Sequence, residues 1–263
     1  PSLNGRQTGT EDDLRSARWV AQEFLSAGLR LPKVYNGSLV IPGFSGKDGA
    51  TTGIMATLVA TPLLAPDPML QIGAVDGLST VALGAEYLPI FDAPSVDLHG
   101  QIVFVGYGIV DPSQGIDDYA GVDVNNRIVL FLRGKPDYVK HPISHADKVR
   151  LARERGALAY LTATGPILHP YEARRGVTGS PGAFYGQLPL DQAVPGAWIS
   201  TTLAEQILAD SNHAAPHRLR ALQEQLNRNP SSRSTITNHY ASLRWNTETQ
   251  DGVLTNVLGV LPG

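Results

Sequence analysis

The sequence predicts an α+β fold: a β-rich module with a few helices, set between two flanking pieces of chain. Three observations carry that expectation. Short apolar, β-branched runs bounded by glycine or proline recur between residues 39 and 245, as strands separated by turns do. Four stretches with helical periodicity interrupt them. The order is helix, several strands, helix, two strands, two helices, two strands, which is no regular strand–helix alternation. Composition agrees: 42% apolar residues suffice for a core, and 17% charged residues with 27 Gly and 19 Pro suit a loop-rich chain rather than a helical bundle or a disordered tail.

The first helix is expected over residues 10–28. Thr10 is its N-cap, Asp13 reaches back to the free amides, and Leu14, Ala17, Ala21, Phe24 and Leu25 form one apolar face. Gly28 stops it, with Pro32 beyond. Candidate strands follow at Leu39–Ile41, Ile54–Ala60, Met69–Ile72 and Thr80–Leu83, with Pro62, Pro66 and Pro68 marking edges or connections. "QIVFVGYGI" and "RIVLFLRG" are stronger strands, each bounded by glycine. "SHADKVRLARERGA" is the second helix, capped by Ser144, with Asp147 at its third position and Gly156 as its stop. "LAYLTAT" and "PGAWIS" read as strands. A third helix opens with Thr202 and Glu205 at capping-box spacing, and Leu219, Leu222 and Leu226 mark a fourth. "TITNHYASLRW" alternates like a strand, and a last strand is expected from Asn256 to Leu261.

Several function classes fall away. Net charge is −3 with no Lys/Arg run, so neither nucleic acid nor an anionic membrane is an expected partner. With no cysteine there is neither a disulfide framework nor a thiolate metal site. No apolar run reaches about 18 residues, the length needed for a membrane span. The chain begins at Pro1 without a signal-like segment, which fits a boundary left by processing or by cloning.

The catalytic inventory is thin. His141 and His145 are four apart, as helical metal ligands would be, but Pro142 and the Ser144 cap place a helix start between them. His213 and His217 share that spacing and are likewise divided by Pro216. Asp117, Asp118 and Asp123 form an acidic turn that could hold calcium or bond its own amides; the spacing is not that of an EF-hand. "GYG" at 106–108 is not a dinucleotide fingerprint, and "GSPG" at 179–182 lacks the setting of a nucleophile elbow.

Four stretches together resemble a known family. "LNGRQTGTEDDLRSARWVAQEFLSAGL" looks like the N-terminal opening of the MH-clan zinc aminopeptidases, in the transferrin-receptor/glutamate-carboxypeptidase-like superfamily. "GQIVFVGYGIVDPSQGIDDYAGVDVNNRIVLFLRGKP" and "DKVRLARERGALAYL" resemble the protease-associated (PA) domain inserted in many of them. "NTETQDGVLTNVLGVLPG" resembles the return of the chain to the peptidase domain. The resemblance implies a PA domain of β-sandwich or barrel type with flanking helices at 61–235. It lies between a peptidase piece at 1–60 and return strands at 236–263. In such enzymes the two-zinc site begins in the segment that follows, so no catalytic residue or zinc ligand is placed on this sequence.

The resemblance further implies a zinc metallopeptidase as parent, with two zinc ions held beyond residue 263, and a fragment inactive by itself. Its partners would be the catalytic domain of the same parent and peptide substrates, and its location would be outside the cytoplasm. The inserted domain would act as a lid, with the loop Arg133–Lys148 facing the cleft. Arg133, Lys135, Tyr138, Lys140 and His145 are the candidate substrate-facing residues, placed to meet a peptide carboxylate or carbonyl. The alternative is a peptide- or protein-binding PA module of a non-catalytic, receptor-like relative.

Overall fold

Ile128–Leu132 and Ala159–Ala163 are five-residue runs in which every residue is buried, the pattern of strands covered on both faces. The computed structural model of the chain describes residues 11–29, 39–45, 51–183, 185–209, 218–230 and 233–259. In chain order the elements begin with α1 (Glu11–Ser26), β1 (Leu39–Ser45), β2 (Thr51–Leu64), β3 (Met69–Ala74), β4 (Gly77–Thr80), β5 (Tyr87–Pro89) and β6 (Val96–Phe104). A small hairpin follows, β7 (Val110–Asp111) and β8 (Ile116–Asp117). Then come β9 (Ile128–Leu132), α2 (His145–Glu154), β10 (Ala159–Ala163), α3 (Pro170–Arg174) and β11 (Gly196–Ile199). The chain closes with α4 (Thr201–Leu208), α5 (Arg218–Arg228), β12 (Thr235–Trp245) and β13 (Thr247–Val257).

Two compact units result, residues 1–63 with 249–263, and residues 64–248. In the first, β1, β2 and β13 form a three-stranded sheet. Helix α1 opens with Glu11, Asp12 and Asp13, whose charges suit a helix N-terminus, and buries Ala17 and Ala21 against Val257. Thr255 donates a 3.0 Å hydrogen bond to Asp13. The expected Thr10 cap lies outside the described residues.

The second unit is built on one eight-stranded mixed sheet, in the order β4-β3-β12-β6-β9-β10-β11-β5. The central strands β6, β9, β10 and β11 are mutually parallel, and the outer strands pair antiparallel. A parallel pair needs a crossover, and α2 supplies the one between β9 and β10. One face packs Phe104, Leu130, Leu132 and Leu161 against Leu203 and Ile207 of α4 and Leu219 and Leu226 of α5. The opposite face packs Val103, Val129, Phe131 and Tyr160 against Val149 and Ala152 of α2. Each large side chain so buried contributes about 1.5–3 kcal/mol.

Several expectations are corrected. The β-sandwich or barrel is instead a single mixed sheet with helices on both faces, because the crossover helix must lie on a face of the sheet it connects. The boundary expected between 235 and 236 cuts a strand that belongs to the large sheet: β12 pairs with both β3 and β6, and the unit runs on to Glu248. The strand expected at Thr80–Leu83 runs from Gly77 to Thr80, hairpinned to β3 through a turn so tight that a Cβ on Gly73 would lie 2.0 Å from the Gly77 carbonyl oxygen. Helix α4 is capped by Ser200, whose hydroxyl accepts the Leu203 amide, rather than by Thr202. The last strand is Thr247–Val257 rather than Asn256–Leu261, of which residues 260–261 are outside the described set.

The cap of α2 is as expected. The Ser144 hydroxyl accepts the Asp147 amide at 3.1 Å, and the Asp147 carboxylate accepts the Ser144 amide at 2.9 Å. Hydrogen bonding to the Ser144 hydroxyl, and then to its amide, holds the Asp147 carboxyl below its usual range. Ser144→Ala should cost the fold about 1 kcal/mol, read as a lower urea midpoint; an unchanged midpoint would show the helix start to be fixed by packing alone.

Candidate ligand-binding site

Ligands of sheets with parallel strands gather outside the carboxyl ends of those strands. Here the chain leaves β9 at Arg133, whose amide bonds the Ala163 carbonyl at the end of β10, and wanders to Ser144 before α2 begins. This wandering segment lines two cavities. The first, of about 420 Å³, is bounded by Arg133, His145, Lys148, Glu172 and Arg175 among others. The second, of about 350 Å³, is bounded by Lys135, Lys140, Pro142 and His169 among others. Gly134, Ile143, Tyr171 and Glu172 line both, so the two adjoin.

Arg133 is nearly buried. Its guanidinium lies 4.2 Å over the Trp198 ring, and its Nη2 is 3.6 Å from Glu172 Oε2, with both side chains 12% exposed. Burial pulls the guanidinium below the ordinary arginine value, and the Glu172 carboxylate opposes that. His145 is the first residue of α2. Its Nε2 is 3.1 Å from the Tyr160 hydroxyl, and its ring packs on Phe131 and Tyr160. Burial, then the charges of Lys148 and Arg133, push its pKa down to about 3, so the imidazole is neutral at neutral pH.

Lys148 is buried one turn further along α2. Its Nζ donates to the carbonyl oxygens of Leu132 at 2.8 Å and Gly134 at 2.5 Å, and lies over the Tyr107 and Phe131 rings. Burial lowers it to about 7, against the attraction of Asp118. Asp118 is itself raised to about 6 by burial, although its Oδ2 accepts the amides of Tyr107 and Ile109 at 3.0 Å each.

Four of the five candidate residues therefore line the cavities: Arg133 and His145 the first, Lys135 and Lys140 the second. The Lys135 ammonium donates to the Val139 carbonyl and that of Lys140 to the Asp137 carbonyl, bonds that curl the loop on itself. Tyr138 is turned elsewhere. Its hydroxyl lies 3.0 Å from the Leu226 carbonyl and 3.1 Å from that of Asn229, tying the loop to the end of α5. Lys148, Glu172 and Arg175 join the site without having been among the sequence candidates. Lys148 carries a signal, a lysine beside Val149 and Ala152 on the buried stripe of α2. Glu172 and Arg175 carry none, because α3 is five residues long and is capped by His169, whose Nδ1 accepts the Tyr171 amide, rather than by a Ser, Thr, Asp or Asn.

The other sequence candidates hold themselves. Asp117 accepts the Tyr119 amide and Asp123 the Asn125 amide, the local turn bonding that competes with calcium binding. His141 sits 3.6 Å from Asp111 while His145 faces Tyr160, so the two histidines do not converge. His213 and His217 lie outside the described residues. Among the described residues no group of three or more His, Asp or Glu is placed to hold a metal ion, and a two-zinc centre does not fit them. Among them, too, no helix is long and apolar enough to cross a membrane.

No family model matches the chain, and no curated protein does. Among solved structures it is similar to an aminopeptidase from Aneurinibacillus sp. strain AM-1, at 20% identity and a TM-score of 0.49, over 96% of this chain and 43% of that one. It is also similar to BSAP, a zinc aminopeptidase from Bacillus subtilis, in two structures, both at 12% identity, with TM-scores of 0.45 and 0.43, over 98% of this chain and 43% of the other. The chain thus spans less than half the length of these proteins.

Proposed function

We propose that this chain is the N-terminal, non-catalytic lid region of a zinc-dependent exopeptidase of aminopeptidase type, with residues 64–248 as its PA domain. Its partners are then the catalytic domain of the same parent and the peptides that reach it. The two zinc ions are held by residues outside 1–263, and the parent is exported. What supports this reading, besides the resemblance of the four sequence stretches, is one feature of the fold. The segment expected to face substrate delivers Arg133, Lys135, Lys140 and His145 to two adjoining cavities at the carboxyl edge of the parallel strands. The charge of the arginine and the two lysines suits a peptide carboxylate, and the half-apolar walls, Tyr171, Ile143 and Pro142, suit a side chain.

In the parent enzyme, Lys135→Ala/Lys140→Ala should raise KM several-fold for peptides bearing a carboxylate near the second cavity and leave kcat unchanged, the signature of lost uniform binding. Steady-state kinetics that show neither constant altered for any charged peptide would overturn the lid reading. One observation favours a second reading, a peptide-binding module of a receptor-like relative: among the described residues, both cavities are lined from residues 133–187 alone. That reading expects peptide binding by chain 1–263 alone but no zinc-dependent turnover by its parent.

A further inference from the structure

Five cationic side chains, Arg133, Lys148, Arg175, Lys135 and Lys140, line the two cavities, and among the described residues Glu172 is the one acidic side chain that does. Glu172 also stands on the wall common to both and is ion-paired with Arg133. We propose that Glu172 is a built-in competitor for the ligand's anionic group: its carboxylate holds Arg133, and an incoming carboxylate must take Arg133 from it. This rests on the reading of the paired cavities as a peptide site.

Three features of the geometry carry it. At 3.6 Å the Arg133–Glu172 pair is looser than the roughly 2.7–2.9 Å typical of a charge-assisted Arg–carboxylate contact, so a free carboxylate able to approach more closely outcompetes it. Glu172 rides on α3, a helix of five residues whose own propensity holds it only weakly. The segment is tied to the neighbouring loop by an exposed contact, His169 Nε2 with Asp137 Oδ1 at 2.7 Å, while the exposed Arg175–Tyr171 hydroxyl contact at 3.0 Å lies within the segment itself. Exposed contacts of that kind are worth little. Moreover, Arg133 is fixed from beneath by Trp198 and along its backbone by Ala163, so exchange of partners moves the glutamate and not the arginine. Because the two cavities adjoin at the wall where Glu172 stands, one peptide can place a carboxylate in the first and a neighbouring apolar side chain in the second. The device sharpens selectivity, because a neutral ligand has nothing to offer Arg133 in exchange for Glu172.

Calorimetric titration of the chain with N-acetyl-Gly-Gly-Leu, as the free acid and as the C-terminal amide, tests it. Glu172→Gln should bind the acid about tenfold more tightly than the unaltered chain, the worth of one charge-assisted contact, while affinity for the amide stays the same. Glu172→Asp, which keeps the charge but draws it back from Arg133, should gain about threefold and serves where the Gln variant does not fold, as judged by circular dichroism. Equal or weaker binding of the acid by these variants overturns the competitor role while leaving the peptide site standing. Binding of neither peptide to any of the three proteins overturns the peptide site, and the competitor with it.

Discussion

Lys148→Met should lower the unfolding free energy by about 3–5 kcal/mol at pH 6.5, visible as a fall in urea midpoint with little change in slope. Methionine fills nearly the same volume, so the loss is electrostatic rather than a cavity. Lys148 is 3% exposed and Asp118 likewise 3%, and each feels the other's charge. Removing the ammonium leaves the carbonyls of Leu132 and Gly134 short of a donor and Asp118 buried without its cation. The displaced pKa values show that burial outweighs the attraction between them. The acid is raised to about 6 and the amine lowered to about 7, so both are predominantly ionised only in the interval between. A pair of this kind adds little net stability, yet losing half of it is expensive. Lys148→Met/Asp118→Asn should therefore recover more than half of the loss, since asparagine keeps an oxygen for the amides of Tyr107 and Ile109 without a charge that needs a partner. Simple addition of the two single losses would show that Lys148 and Asp118 are not coupled.

What can be read from the sequence, and what cannot, follows from the range of the interactions. The caps at Ser144 and Gly156 are local, and so are the strands that cross the core; both are legible from spacing alone. Parallel pairing is not, because the composition of a strand such as Ile128–Leu132 says that both faces are covered without saying by what. Hence the composition of the strands could not weigh against the sandwich or barrel that the resemblance implies, where α2, α4 and α5 in fact cover one sheet. The loop 133–145 is legible as polar, but its division is not. Tyr138 leaves the group because a carbonyl at the end of α5, 88 positions further on, accepts its hydroxyl. Glu172 enters it only because Arg133, on a different element and far earlier in the chain, draws it in.

The second large effect is one of pH. Lowering pH from 6.5 to 5 should withdraw about 2 kcal/mol of stability through His145 alone. In the fold its pKa is about 3, against an ordinary value of 6.5, so the unfolded chain binds the proton first as pH falls. The stability due to His145 is thus fully present above pH 6.5 and is lost progressively as pH drops toward 3. Asp118 acts in the opposite sense: its raised pKa means that the folded chain protonates first, and it adds stability as pH falls from about 6 toward its ordinary value near 4. Asp118 therefore offsets part of the loss through His145, so the wild-type profile is shallower than His145 alone would make it. The comparison that separates them is His145→Gln, whose amide oxygen can still accept from the Tyr160 hydroxyl while Asp118 is untouched. Urea midpoints of that variant should rise relative to the unaltered chain at each step from pH 6.5 to pH 5. Parallel midpoint curves for the two proteins would mean that His145 takes up its proton in place, and that the first cavity gains a cation in mild acid rather than losing its wall.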